Sequence, residues 1–318
     1  MLRTPTIATL TLGRAMLKQR IITGVLVAAS FLVALVILPA SDLSAISSTV
    51  LVFAAWEWSA LAGEKRSRYR FGFTALVGLL MFAVWWALVR QGSSVPMGLM
   101  QPILAVAVLV WLMLLGVVLQ YPSGWQWLRT ARAQLVLGLV VLLFGAMGFT
   151  VLSVNPLAKF WIVYVVAIVV IADVGAYFSG KAFGRRKLAP QVSPGKTWEG
   201  FWGGFIAAQL LAVVFHVWIL DLVKNYAPSL GSSELQSMTA TPASYGVESA
   251  SLLIFILIAG LLSAASVLGD LFESVLKRNI GVKDSGSLLP GHGGILDRID
   301  GMLPSVPLLA FFVMIFNW

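Results

Sequence analysis

The sequence contains no cysteine, so disulfides, thiolate nucleophiles and cysteine-based zinc sites are excluded together. Charge is scarce as well: only 11% of the 318 residues are Asp, Glu, Lys or Arg, and 13 residues are acidic. What fills the chain is apolar. Hydrophobic residues make up 59% and the mean hydropathy is +0.92, beyond what a water-exposed surface and a soluble core could use together.

A bilayer core about 30 Å thick takes roughly 20 apolar residues per helical crossing, and uncharged runs of that length recur along the chain. The expected architecture is all-α and polytopic. Nine candidate spans fall near 21–38, 47–62, 71–89, 101–120, 134–153, 160–179, 200–220, 249–268 and 302–317, with a range of eight to ten. The second and the last are short for a perpendicular crossing. The first run has a basic prelude and no small-residue cleavage site after it, so it reads as a retained span.

Cytoplasmic loops collect Lys and Arg. With the N-terminus inside, 19 of the 22 basic residues fall on the inner side, leaving Arg90, Lys159 and Lys224 outside. The predicted orientation therefore has a cytoplasmic N-terminus. The net charge of +9 is explained by topology, with no need for a nucleic-acid partner.

The carboxylates are unevenly placed. Residues 1–172 contain only Asp42, Glu57 and Glu64, whereas Asp270, Glu273, Asp284, Asp297 and Asp300 crowd one short stretch. This suggests a transmembrane scaffold over 1–155 and a catalytic region over 156–318. At helical spacing Asp270, Glu273, Ser274 and Lys277 share one face, either as a functional stripe or as a solvated helix end with a Glu273–Lys277 pair. A glycine-rich loop from Lys283 and Asp284 to Gly294 would let backbone amides approach a phosphate. Asp297 and Asp300, three apart, would lie on one helix face and suit Mg²⁺, which one or two protein carboxylates and substrate phosphates usually hold. They could equally be partners in ion pairs. A carboxylate at a helix centre in lipid costs about 2.5 to 3.5 kcal/mol, so a cluster wants a purpose.

The run Ser274-x-Leu276-Lys277-Arg278-x4-Lys283-Asp284-x-Gly286-x2-Leu289-Pro290-x-His292-Gly293-Gly294-Ile295-x-Asp297-Arg298-Ile299-Asp300 resembles the signature of bacterial phosphatidate cytidylyltransferases at every fixed position over 27 residues. The resemblance continues upstream through Asp173-Val-Gly-Ala-Tyr177 and Ser193-Pro-Gly-Lys196-Thr197-Trp-Glu-Gly200. Gly301 departs from it, where Ser is expected.

The resemblance implies that phosphatidic acid attacks the α-phosphorus of CTP, releasing pyrophosphate and leaving CDP-diacylglycerol. The nucleophile is already anionic, so positioning and charge neutralisation would carry catalysis. It also implies the cell inner (plasma) membrane of a bacterium, a divalent-metal site and a homodimer, with room for a second cation such as K⁺. Asp270 and Asp297 are the expected main Mg²⁺ ligands, with Asp300, Asp284 and Asp173 as further candidates; Asp173 could instead be a helix-packing carboxylate. Ser193, Lys196 and Thr197 are expected to contact phosphate, although Pro190 stands where a Walker loop needs glycine. Lys277, Arg278, Lys283, Arg298 and Ser274 are candidate phosphate contacts, any of the basic ones of which could be topological. His292, between Gly291 and Gly293, could reach a phosphate or brace the loop. His216 reads as a core residue.

Two other classes compete. A CDP-alcohol phosphotransferase also has Asp-x2-Asp-Gly, but Met302-Leu303-Pro304 and the lack of any later carboxylate disfavour it. A transporter would use buried carboxylates at the midplane, and neither an inverted repeat nor such a placement is evident.

Overall fold

The computed structural model describes residues 24–26, 28–90, 97–226, 251–288 and 293–318. Its helices are α1 (Gly24–Ile37), α2 (Ala40–Leu61), α3 (Ser67–Trp85), α4 (Met97–Leu119), α5 (Ala131–Ser153), α6 (Ala158–Phe183), α7 (Trp198–Tyr226), α8 (Leu252–Ile280), α9 (Leu296–Ile299) and α10 (Met302–Ile315). A two-stranded antiparallel hairpin, β1 (Lys187–Ala189) and β2 (Ser193–Thr197), joins α6 to α7, with Lys187 opposite Thr197 and Ala189 opposite Ser193. The Ser193–Thr197 motif is thus a strand within an otherwise helical integral membrane protein.

Seven of the nine expected runs form helices long and apolar enough to cross a membrane, counted among the described residues. The other two differ in kind. The first is α1, described as an apolar helix over Gly24–Ile37, with the start of the expected run outside the described residues. The second belongs to α2, a 22-residue helix whose Ser41, Asp42, Ser44, Ser47, Ser48, Thr49, Glu57 and Ser59 dilute its apolar character. Conversely, the final run, expected to be short, gains length from α9 and extends over Leu296–Ile315.

Two hydrophobic cores stack inside the bundle. One gathers Leu43 and Leu104 with Trp161, Tyr164, Phe255 and Leu309; the other joins Trp58, Trp111 and Leu142 to Phe272, Leu296 and Leu303. Residues on both sides of position 155 contribute to each. Large apolar side chains that face outward, such as Leu79, Leu109, Val136, Leu210 and Leu257, form the surface a lipid environment requires.

Close helix contacts depend on glycine at particular points. A methyl on Gly138 of α5 would overlap the indole of Trp58, whose Nε1 donates to the Gln134 carbonyl at 2.8 Å. Along α6 and α7, a Cβ on Gly175 would lie 2.9 Å from Ala207 Cβ, and one on Gly204 would overlap the Ala172 carbonyl. Small residues let these two backbones meet, which matters because lipid supplies no hydrophobic drive for helix pairing.

The two ends of the bundle carry different charge. At one end Arg70 Nε donates to Ser59 Oγ (3.2 Å), and Arg278 Nε donates to the Val192 carbonyl at the hairpin turn (3.2 Å). These contacts and the Trp58–Gln134 bond, joined by the Trp58–Phe272 ring contact between α2 and α8, bring together the segments holding Lys65–Arg70, Arg129–Arg132, Lys181–Lys196 and Lys277–Lys283. At the other end Lys159 Nζ donates to the Val36 carbonyl and Asn155 Nδ2 to the Trp318 carbonyl.

Candidate active site

The polar cluster lies at the basic end. In α8, Asp270 comes 18 residues after Leu252, or roughly 27 Å at 1.5 Å per residue, close to one bilayer core. The polar stripe therefore begins about one bilayer-core thickness along α8 from its start. Glu273, Ser274 and Lys277 are buried and Asp270 is half-buried, so the face expected from spacing points inward instead of into water.

Two lysines organise it. Lys196, delivered by β2, places Nζ 2.6 Å from Asp270 Oδ2. Lys277 bridges Glu273 Oε2 at 2.6 Å and Asp297 Oδ1 at 2.7 Å. The local Glu273–Lys277 pair is present, and it extends to a third group across the fold. Ser274 Oγ approaches Asp270 Oδ1 at 3.4 Å.

Asp300 lies within electrostatic reach of Asp270, Lys196 and Lys277, and Asp173, from α6, within reach of Lys196 and Asp270. Gly269 permits this gathering, because a methyl there would overlap the Asp300 carbonyl oxygen. Gly301 has a similar reason: its Cβ would sit 2.5 Å from Ser266 Oγ. The departure from Ser at this position thus matches the close approach of α8.

Asp297 is the hub of the loop before α10. Its Oδ2 accepts from Ser285 N (2.9 Å), Ser285 Oγ (2.9 Å) and Gly294 N (2.8 Å), while Oδ1 takes Lys277. Gly293 has φ +85°, a left-handed conformation suited to glycine, and a Cβ there would lie 2.8 Å from Asp297 Oδ2. The glycines are sites of close approach to the protein's own carboxylates: Gly286 and Gly294 lie against Glu57, and Gly293 against Asp297.

Several expected phosphate contacts also have partners within the protein. Thr197 is buried, and its Oγ1 accepts from Gly200 N at 3.1 Å, capping α7. It is packed by Gly180 and Gly184, so its hydroxyl is directed at the helix terminus. Arg278 spans from Val192 O to Val282 O (3.2 and 3.3 Å), bracing the hairpin against α8. Lys283, Asp284 and Arg298 are exposed, and Ser193 is half-buried opposite Ala189. His292 lies outside the described residues.

The residue missed from sequence is Glu57. It comes from α2, deep in the half read as scaffold, and is 3% exposed. Its Oε2 accepts from Leu296 N (2.8 Å) and Ser285 Oγ (3.2 Å). A signal was present, since Glu57 is one of three carboxylates in the first 172 residues and sits in the apolar run Ala54-Ala-Trp-Glu-Trp58.

Among the described residues no three His, Cys, Asp or Glu side chains are grouped as a metal cage. Oxygen donors at Asp270 and Asp300, with Asp297 and Asp173 nearby, still fit a hard cation that takes the rest of its coordination from substrate phosphates.

The fold defines the class, a polytopic helical membrane protein with lysine-paired carboxylates gathered at one end of the bundle. Comparison gives the family: residues 18–316 match the cytidylyltransferase family, and the chain belongs to it. It is 37% identical to a phosphatidate cytidylyltransferase of Pseudomonas aeruginosa, covering 95% of this chain and 99% of that one. It is 36% identical to one from Haemophilus influenzae, covering 93% and 98%, and 33% identical to one from Brucella suis, covering 82% and 80%.

Proposed function

We propose that the chain is a CTP:phosphatidate cytidylyltransferase that makes CDP-diacylglycerol for phospholipid synthesis. The observation that carries this reading is the junction of Lys196–Asp270 with Lys277–Asp297 at the basic end of the bundle, in a chain that belongs to the cytidylyltransferase family over nearly its whole length. A phosphatidate oxygen bonds to the α-phosphorus of CTP as the bond to the β-phosphate bridging oxygen breaks, and pyrophosphate leaves with that electron pair. The phosphatidate oxygen carries no proton to remove, so the site needs no general base.

Lys196 is the side chain best placed to meet incoming phosphates: its side chain is 24% exposed and it is held by Asp270 from a short, braced hairpin. It would neutralise charge on the two mutually repelling anions. Lys277, more deeply set, fixes Asp297 and Glu273. Mg²⁺ held by Asp270 and Asp300, with Asp297 and Asp173 as the neighbouring carboxylates, would supply further neutralisation of phosphate charge; a second cation such as K⁺ is the remaining cofactor in this reading.

The clustering of the basic segments at the site's end supports a cytoplasmic active site in the inner membrane through the positive-inside rule. The reading includes a homodimer. The test is CDP-diacylglycerol formation by the purified protein in detergent with phosphatidic acid, CTP and Mg²⁺. Metal-dependent product and pyrophosphate are expected from the wild type and not from folded Asp270→Asn; a transporter would make neither.

A further inference from the structure

The structure assigns Glu57 the role of a positioning residue that sets the catalytic loop and, through Ser285, the orientation of Asp297. This rests on the cytidylyltransferase reading for its meaning in turnover, but the contact itself stands on geometry. One carboxylate oxygen of Glu57 accepts both the Leu296 amide (2.8 Å) and the Ser285 hydroxyl (3.2 Å). Ser285 N donates to Asp297 Oδ2 at 2.9 Å, and its single hydroxyl hydrogen lies between Glu57 Oε2 and Asp297 Oδ2, the latter at 2.9 Å, and is shared by the two carboxylates. A continuous series of polar contacts thus runs from α2 through Glu57, Ser285 and Asp297 to Lys277 and Glu273.

The loop is shaped to receive Glu57. Methyl groups on Gly286 and Gly294 would each overlap a carboxylate oxygen of Glu57, so both glycines are needed for the loop to close over it. Leu296 begins α9, and its amide is among those a helix start leaves without an internal partner. A carboxylate fixed there satisfies that donor. Glu57 itself is held by its neighbour: Trp58 is 1% exposed and bonded to α5. A residue 228 positions before Ser285 therefore adds a second anchor to a loop that Asp297 holds from within the C-terminal region.

The geometry makes a specific demand. Both hydrogen bonds fall on one oxygen, so a carbonyl oxygen can accept them equally well; the required feature is an acceptor, not a charge. Glu57→Gln keeps the acceptor but puts its amide nitrogen where the buried Oε1 has no partner, so it should retain several-fold more kcat than Glu57→Ala without reaching wild type. Glu57→Ala should lower kcat by ~10²-fold, the loss that a misplacement of about 1 Å produces, with KM for CTP little changed. Ser285→Ala should have the same signature. The double variant Glu57→Ala/Ser285→Ala should fall well short of the product of the two single losses, because both act on Asp297.

Hydrogen–deuterium exchange of the peptide spanning 285–297 should quicken in Glu57→Ala and not in Glu57→Gln. That measurement needs no turnover, so it separates this inference from the assignment of activity. Unchanged exchange in Glu57→Ala, equal losses in the Gln and Ala variants, or fully multiplicative losses with Ser285→Ala would each overturn the assignment.

Discussion

Replacing Lys277 by Met tests whether the α8 cluster is truly desolvated. Met keeps most of the apolar stem of Lys while removing the ammonium. In the wild type that ammonium lies 2.6 Å from Glu273 and 2.7 Å from Asp297, and the three side chains are 11%, 4% and 8% exposed. Removing one partner of a buried pair costs about 3–5 kcal/mol, because the remaining charge is stranded. The two carboxylates would not suffer equally. Asp297 keeps Ser285 N, Ser285 Oγ and Gly294 N, whereas the other oxygen of Glu273 has no hydrogen-bond partner among the described residues.

The loss should therefore be concentrated on Glu273, and Lys277→Met/Glu273→Gln should recover most of the stability. With roughly 2 °C per kcal/mol for a chain of this size, the single variant should melt about 6–10 °C below wild type in detergent. The double variant should melt close to wild type. A single variant that melts within 1 °C of wild type, or a double variant no better than the single, would refute the reasoning, since either result means that water reaches the pair.

Other outcomes follow from the same geometry. Lys196→Met should lower kcat/KM for CTP by about 10²–10³-fold, the range for losing one charge-stabilising donor, with little change in melting temperature; steady-state kinetics in mixed micelles measures this. Thr197→Ala should cost about 1 kcal/mol as a lost helix cap while leaving KM for CTP unaltered, and Thr197→Ser should restore it, as thermal unfolding alongside kinetics would show. Gly269→Ala would push the Asp300 backbone from α8, destabilise the fold by about 1–3 kcal/mol and lower activity together, measurable by melting and product formation.

Much of the protein was legible in its sequence. Runs of apolar residues read as spans because every backbone polar group in lipid must be satisfied within the segment, and a helix does this locally. The polar face of α8 was legible because Asp270, Glu273, Ser274 and Lys277 fall at spacings of three, four and seven, which one helix alone resolves. The family resemblance in the stretch from Ser274 to Asp300 was legible for the same reason, as its residues follow one another along the chain.

What the sequence left open concerns partners brought together across the bundle. Nothing in the apolar run around Trp58 says that Glu57 meets Ser285 and the Leu296 amide, because that contact depends on how α2 packs against α5 and on the loop folding back to it. Spacing pairs Glu273 with Lys277 but says nothing of Asp297 as the third member. That Thr197 caps α7 follows from the hairpin's register, which places its hydroxyl at the start of that helix. The glycines before Asp297 were recognisable as sites of close approach; which anions they approach was settled by tertiary packing. Helices and their polar faces arise from bonds and spacings within a few turns, so the sequence alone determines them. Side-chain partnerships between distant segments arise only when those segments are fixed in one arrangement, and there the tertiary structure decides.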